Sequence, residues 1–235
     1  LNSKLTWEVN VLASKFLVEK AIDRGIEQFI FASSGSVYGI KEEPQVTEDL
    51  PLMPISDYNK SKMISERVLL SYQDKINLQV IRPATVCGYS PRMRLDLSVN
   101  MLTMQALTNG RITVFGGQQT RPNIHMNDMI GVYLHFLKLG SKALGIYNAG
   151  FENISILDIA KKVTDHIPAE IDIIESNDPR SYRQNSDKLL GTGFTPEYGV
   201  ENGIIDVIVA HNSGRLLDED NYYNIRAMKK LENIN

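Results

Sequence analysis

Cysteine is almost absent from this 235-residue chain. Cys87 stands alone, so no disulfide can form within the chain and a reducing compartment fits. No apolar run approaches the roughly 18 residues that a membrane span requires, and no secretory signal opens the sequence. Neither sign of charge accumulates. The net charge is -3 without a run of like residues, which argues against a nucleic-acid footprint and leaves any phosphate binding to a few placed arginines. Internal repeats and low-complexity stretches are missing too. What remains is an ordinary globular composition, 43% apolar and 23% charged, long enough for one large domain or two small ones. These absences predict a soluble cytoplasmic protein with no membrane or nucleic-acid partner, and they say little about activity.

Hydrophobic spacing supplies the organisation. Residues 1–24 read as an amphipathic helix: Trp7, Val11, Ser14, Leu17, Val18 and Ala21 recur at helical spacing and Gly25 stops it. A chain that opens inside a helix reads as though structure preceded it. The short apolar run 28–32 predicts a buried parallel strand ending at Ser33-Ser34-Gly35. Pro44, Pro51 and Pro54 break the loop that follows. A second helix is predicted over 57–74, with Ser56 or Asp57 as its N-cap, and residues 78–81 read as the next strand, closed by Arg82-Pro83. This alternation of helix and strand is the rhythm of an α/β fold with a doubly wound parallel sheet. Further helices are predicted over 96–109, 127–138, 155–166 and 200–210, and strands at 112–115, 145–149 and 170–174. From about 212 the chain turns polar, with Leu216-Leu217 its only apolar pair, and predicts a frayed tail or a peripheral helix.

Two features carry chemistry. In Tyr58-Asn59-Lys60-Ser61-Lys62 the tyrosine and the second lysine stand four apart, on one face of a helix. An ammonium near a phenol favours the phenolate, which makes tyrosine a usable general base. The pair alone is a weak signal in a chain with 10 tyrosines, since a tyrosine packed on the core beside a solvated lysine has the same spacing. The second feature is Ser33-Ser34-Gly35-Ser36 at the end of the first strand. The carboxyl ends of such strands are where open α/β sheets bind ligands, although a serine cluster there also serves as turn chemistry.

Together with their neighbours these residues resemble a known family. Phe31-Ala32-Ser33-Ser34-Gly35-Ser36-Val37-Tyr38-Gly39 followed by Tyr58-x-x-x-Lys62 is similar to the extended short-chain dehydrogenase/reductase family, and more narrowly to its nucleotide-sugar epimerase/dehydratase branch, which includes UDP-galactose 4-epimerase. Further matches follow in the family's order: Asn10, the turn Arg82-Pro83-Ala84-Thr85-Val86-Cys87-Gly88, the run Arg121-Pro122-Asn123-Ile124-His125-Met126-Asn127-Asp128, and Ile146-Tyr147-Asn148-Ala149-Gly150. The resemblance spans residues 1 to about 205. Several ordered motifs are far more specific than one.

The resemblance implies a Rossmann-like doubly wound parallel sheet with a smaller α/β substrate-binding region toward the C-terminus. Residues 1–90 would be the remainder of the dinucleotide-binding domain and carry the catalytic groups. Residues 91–210 would mainly bind nucleotide sugar, with about 120–150 returning to the Rossmann sheet, and 211–235 would be a tail. It implies Ser34, Tyr58 and Lys62 as catalytic residues. Ser34 would hydrogen-bond the reacting sugar oxygen, Tyr58 would act as general base, and Lys62 would bind the nicotinamide ribose and tune Tyr58. Asn10, Ala32, Ser33, Pro83 and Ala84 join Tyr58 and Lys62 on the cofactor side, the cofactor being NAD with NADP not excluded. Thr85, Arg121, Asn148, Arg180 and Tyr182 join Ser34 on the side of a nucleotide-diphosphate sugar; a guanidinium fork suits diphosphate oxygens. No metal is implied. A homodimer through the helices 1–24 and 57–74 is. His125 reads as a structural histidine, and Arg92 and Arg94 are phosphate candidates from charge and position alone.

Three departures qualify this. No Gly-x-x-Gly-x-x-Gly follows a strand, so the cradle for the cofactor pyrophosphate is absent; the first β-α-β units are expected before residue 1, and an exposed apolar sheet edge with them. Gly35 and Ser36 stand where the dehydratase branch has an acidic pair, which disfavours a 4,6-dehydratase. Thr85, Cys87, Pro122 and Asn127 replace an asparagine, a tyrosine and two aspartates. The favoured reading is an NAD-dependent nucleotide-sugar epimerase working through a transient keto-sugar. An NAD(P)-dependent reductase on the same scaffold, and a non-catalytic relative that binds only sugar nucleotide, stay open.

Overall fold

A computed structural model describes residues 2–176 and 181–232. Its main sheet has three parallel strands: β1 (Gln28–Ala32), β2 (Asn77–Pro83) and β6 (Gly145–Ala149), in the order β1-β2-β6. A second sheet orders β3 (Thr85–Cys87), β5 (Thr120–His125) and β7 (Glu152–Ser155), and a third pairs β4 (Arg111–Phe115) with β8 (Glu170–Ile174) in parallel. The helices are α1 (Ser3–Trp7), α2 (Ala13–Asp23), α3 (Asp57–Leu70), α4 (Ser98–Asn109), α5 (Met126–Leu139), α6 (Ile156–Thr164), the short α7 (Asp187–Leu190), α8 (Val200–Asn212) and α9 (Asn224–Glu232).

Alternation along the strands decides which helix packs where, because successive side chains leave a strand on opposite faces. Phe29 and Phe31 of β1, with Leu78 and Val80 of β2, pack with Val18 of α2 and Leu69 of α3. Ile30 and Ile81 leave on the other face and pack with Val132 and Phe136 of α5 and Tyr147 of β6. The sheet is thus covered on both faces, as a parallel sheet requires. Gln79 also points into this interior, fully buried. Its Nε2 donates to the carbonyls of Gly140 and Ala143 at 2.9 Å each, and Gln28 donates to the Phe136 carbonyl. These amides fasten the end of α5 and the turn after it to the sheet.

The predicted helix 1–24 is one continuous run, α1 and α2 joined by a π turn over Glu8–Leu12 that contains Asn10. The helix predicted over 57–74 ends at Leu70, and Ser56 is its N-cap, accepting from the Asn59 amide. Strands β3, β5 and β7 were not anticipated. They are short or interrupted by polar residues, and β5 contains Pro122, so they carry little alternation to read. The polar C-terminal stretch is docked rather than frayed: Leu216 is fully buried with Met93, Leu95, Met104 and Val207, and α9 follows it. Among the described residues β1 pairs on one side only, and Ile130, Leu134 and Leu137 of α5 are half exposed or more, the apolar margin expected beside an open sheet edge. No helix among the described residues is long and apolar enough to cross a membrane.

The turn after β1 is tight. Gly39 has φ +73°, and a Cβ there would stand 2.0 Å from the Met53 carbonyl oxygen, so both backbone conformation and space demand glycine. Gly39→Ala is expected to destabilise the fold by upward of about 2 kcal/mol, measured as a drop in the urea midpoint; an unchanged midpoint would contradict the turn described here.

Candidate active site

Ser34 follows β1 and caps a 3-10 turn over Gly35–Tyr38, its hydroxyl accepting from the Ser36 amide at 3.2 Å. Ser34 Oγ lies 2.7 Å from Ser36 Oγ, and Ser36 donates on to Asn59 Oδ1 at 2.8 Å. Asn59 stands next to Tyr58 in the first turn of α3, and the Ser34 hydroxyl is close enough to the Tyr58 phenol to favour its ionised form. Strand end, serine turn and helix start therefore converge on one hydroxyl pair. Tyr58 is 47% exposed.

The electrostatics differ from the expectation that Lys62 lowers the Tyr58 pKa. Burial of the phenol pushes it up from its ordinary value, and the nearby Ser34 hydroxyl and the charge of Arg94 oppose that rise only in part. Lys62 Nζ sits 6.0 Å from the Tyr58 ring centroid and 4.8 Å from that of Phe31, and it donates to the Ala32 carbonyl at 2.9 Å. Its ammonium is spent on the backbone rather than on the phenol. Burial lowers the Lys62 pKa below 10.5, with the Glu66 carboxylate pulling the other way.

Other predicted residues divide between this centre and its frame. Asn10 donates to Ser61 Oγ at 2.9 Å and its carbonyl accepts from Ser65, so it fastens the leading helix to α3. Ser33 is buried and donates to Glu66. Ala84 hydrogen-bonds the Ala149 carbonyl and packs so close to Gly150 that a Cβ there would lie 2.6 Å from its own, while Pro83 ends β2. Thr85 pairs with Asn123 across β3 and β5, and Arg121 lies half-buried on the same strand, opposite Ile154. Tyr182 places its hydroxyl 3.3 Å from where a Gly35 side chain would begin. Arg180 lies outside the described residues.

Two expectations need correcting. Asn148 does not present its amide to a ligand. It is fully buried; its Oδ1 accepts from Tyr38 at 2.8 Å and its Nδ2 donates to the carbonyls of Val46 and Asn185 at 3.0 Å each. Arg92 and Arg94 are not open phosphate claws either: Arg94 holds Asp96 at 2.6 Å, and Arg92 bonds the Met93 carbonyl and Asn224. His125 is structural as read. Its Nδ1 accepts from the Asn127 amide, so Nε2 carries the proton and donates to Asp206 at 3.1 Å. Cys87 is buried, and its thiol is pushed up to about 12 by that burial and by nearby carboxylates, which makes it an inert core residue.

Sequence reasoning missed Ser36, Asn59 and the buried frame behind them. Glu66 of α3 receives both Arg82 Nε, at 2.9 Å, and Arg82 Nη2, at 2.7 Å. The other arm of Arg82 donates to the Tyr38 hydroxyl at 2.7 Å, and burial pushes that phenol up to about 12. Gln184 donates to the Arg82 carbonyl at 2.6 Å. The four-residue step from Lys62 to Glu66 was the one available signal, a helical neighbour of the pair. A side chain at Gly35 would meet Gln184 Oε1 at 2.7 Å and the Pro83 carbonyl at 3.2 Å, so the position is closed to an acid. No group of three potential metal ligands occurs among the described residues.

The model of the NAD dependent epimerase/dehydratase family matches residues 2–150. The chain is 28% identical over 230 residues to a UDP-glucose 4-epimerase of Lactobacillus helveticus, covering 87% of this chain and 68% of that one. It is equally 28% identical to the dTDP-D-glucose 4,6-dehydratase of Bos taurus, over 83% of this chain and 59% of that one. Among solved structures, the UDP-glucuronic acid 4-epimerase of Bacillus cereus in complex with UDP-glucuronic acid and NAD is 26% identical with a TM-score of 0.76, covering 87% of this chain and 67% of that one. The chain therefore spans between about three fifths and two thirds of these relatives' lengths.

The phenol should titrate above 10, and removing its partner hydroxyl should move it further. Ser34→Ala deletes the nearby hydroxyl that favours the phenolate, so the Tyr58 midpoint is expected to rise. Titration followed by NMR of 13C-labelled tyrosine reads this directly, and a midpoint that falls or stays would show that the two hydroxyls do not interact.

Proposed function

Because the chain belongs to the NAD dependent epimerase/dehydratase family, we propose that it is built for 4-epimerisation of a nucleotide-diphosphate sugar through a transient keto-sugar. The observation that carries this reading is the serine turn at the carboxyl end of β1, joined through Ser34, Ser36 and Asn59 to the first turn of the helix that bears Tyr58 and Lys62. In the proposal Ser34 holds the sugar hydroxyl, the Tyr58 phenolate takes its proton, and the proton returns to the oxygen when the keto group is reduced from the other face. Lys62, freed from the Ala32 carbonyl, holds the nicotinamide ribose, with Pro83 and Ala84 lining the ring. NAD, when bound, accepts and returns the hydride, and its cationic ring lowers the pKa of an adjacent phenol. The fit covers the nicotinamide end; the sequence holds no glycine-rich turn for the pyrophosphate.

The closed position at Gly35 supports epimerisation over 4,6-dehydration, because elimination of water needs an acid there and Gln184 occupies the space. Residues 1–90, with 120–150, form the cofactor side of the proposal, and 91–210 the nucleotide-sugar side. Arg121 and Thr85, on the neighbouring strands β5 and β3, face the diphosphate in this proposal. The N-terminus of α4 has no side-chain cap, which favours an anion as well.

Calorimetry with UDP-glucose, with and without NAD, tests the reading. Binding of both supports it, and UDP-glucose binding without NAD binding favours a non-catalytic sugar-nucleotide binder instead. In an interconversion assay Tyr58→Phe is expected to lower turnover by about 10²–10⁴-fold; an unchanged rate sinks the assignment.

A homodimer is part of the same proposal. Leu5, Val9, Leu12 and Phe16 recur on one face of the leading helix, 47%, 56%, 62% and 58% exposed, a stripe that a second copy of this helix and α3 would cover. Sedimentation at micromolar concentration should give a dimer, and Phe16→Glu should give a monomer with unchanged circular dichroism. A wild-type monomer counts against the interface.

A further inference from the structure

Glu66 is a carboxylate that the proposed chemistry leaves unused, yet it is almost wholly buried. It sits one turn beyond Lys62 and two beyond Tyr58 on the same face of α3. Its oxygens take the whole Arg82 fork and the Ser33 hydroxyl. Glu66 and its two partners lie on the three pieces of backbone that carry the site: Ser33 adjoins Ser34, Arg82 precedes Pro83 and Ala84, and α3, which carries Glu66, bears Tyr58 and Lys62. A buried ion pair is a poor source of stability, because desolvation offsets much of its attraction. Its geometric yield is large, since a bidentate fork fixes direction as well as distance.

We propose that Glu66 is a positioning residue of the proton-transfer site: with Arg82 and Ser33 it locks the helix of Tyr58 and Lys62 against the ends of β1 and β2, and it supplies a negative charge one helical turn from Lys62. This rests on reading Tyr58 and Lys62 as the proton-transfer pair. The surroundings of Lys62 make the charge matter. β1 offers it the Ala32 carbonyl and the Phe31 ring. The leading helix offers the neutral amide of Asn10, bound to Ser61. On α3 itself the neighbours are Tyr58 and Glu66, and Arg82 of β2 stands behind Glu66. Burial disfavours the ammonium and Glu66 is the charge that opposes this in part. A neutral Lys62 could neither hold a ribose as a cation nor favour a phenolate.

The test is the Lys62 titration in the full chain, followed by NMR of 13Cε-labelled lysine and assigned by the resonance lost in Lys62→Met. Glu66→Gln keeps shape and removes charge, so the Lys62 midpoint is expected to fall by about one unit or more, and Glu66→Asp to recover part of it. A folded Glu66→Gln protein with an unmoved midpoint overturns the proposal. If the lone buried Arg82 cation unfolds that variant, the same substitution is read on an Arg82→Gln background, Glu66→Gln with Arg82→Gln against Arg82→Gln alone, so that the arginine charge is absent from both. The midpoint again falls if the proposal holds and stays if it fails. This readout needs no cofactor and no turnover. A fallen midpoint with no NAD or UDP-sugar binding would sink the epimerase reading and leave the coupling of Glu66 to Lys62 standing.

Discussion

The buried pair of Glu66 and Arg82 is the constraint from which the rest of the site can be followed. Neither charge can sit in the interior unless every donor and acceptor around it is answered, and the surrounding chain is arranged to do so. Burial works against the arginine cation, and the hydrogen bonds and charge of Glu66 more than offset it, so its pKa ends above the ordinary arginine value. One arm continues to Tyr38, Tyr38 to Asn148, and Asn148 to the carbonyls of Val46 and Asn185. The backbone amide of Asn148 in turn donates to Glu48. A single chain of hydrogen bonds therefore ties α3, the ends of β1, β2 and β6, the loop after β1 and the segment around residue 185 into one unit.

That frame explains why the serine turn is so confined. The backbone leaves β1, caps its own 3-10 turn through Ser34, and reverses at Gly39 against the Met53 carbonyl. Gly35 has Gln184, Tyr182 and the Pro83 carbonyl around it and no room for a side chain. The same packing that holds the Ser34 hydroxyl toward Tyr58 excludes a carboxylate next to it. A change of chemistry at residue 35 would require the 182–184 segment to move as well.

Asn148 and Lys62 show how far a motif can be read. Each stands at its motif position, but a motif does not say whether a polar group is open to a ligand or already bonded. Asn148 is consumed by Tyr38 and two carbonyls. Lys62 is held on the Ala32 carbonyl, and the phenol it was expected to acidify is instead raised by burial. Arg92 and Arg94 repeat the lesson at the surface, where Asn224 and Asp96, distant in sequence in the first case, take their donors. Strands β5 and β7 escaped for a related reason: their pairing partners lie far away, and alternation is weak where a proline or a polar residue interrupts it.

The sequence alone determined what depends on near neighbours. The spacing of apolar residues set the helices and the buried parallel strands, Ser56 set the start of α3, and the separation of Tyr58 from Lys62 put both on one helical face. These follow from helix and strand periods, which are local. Only the tertiary structure decided which carboxylate stands behind Lys62, that Gly35 is closed by Gln184, that the phenol pKa rises rather than falls, and that Leu216 anchors the C-terminal stretch. Each of those depends on desolvation and on contacts between residues tens of positions apart, and neither quantity is encoded in any short window of the chain.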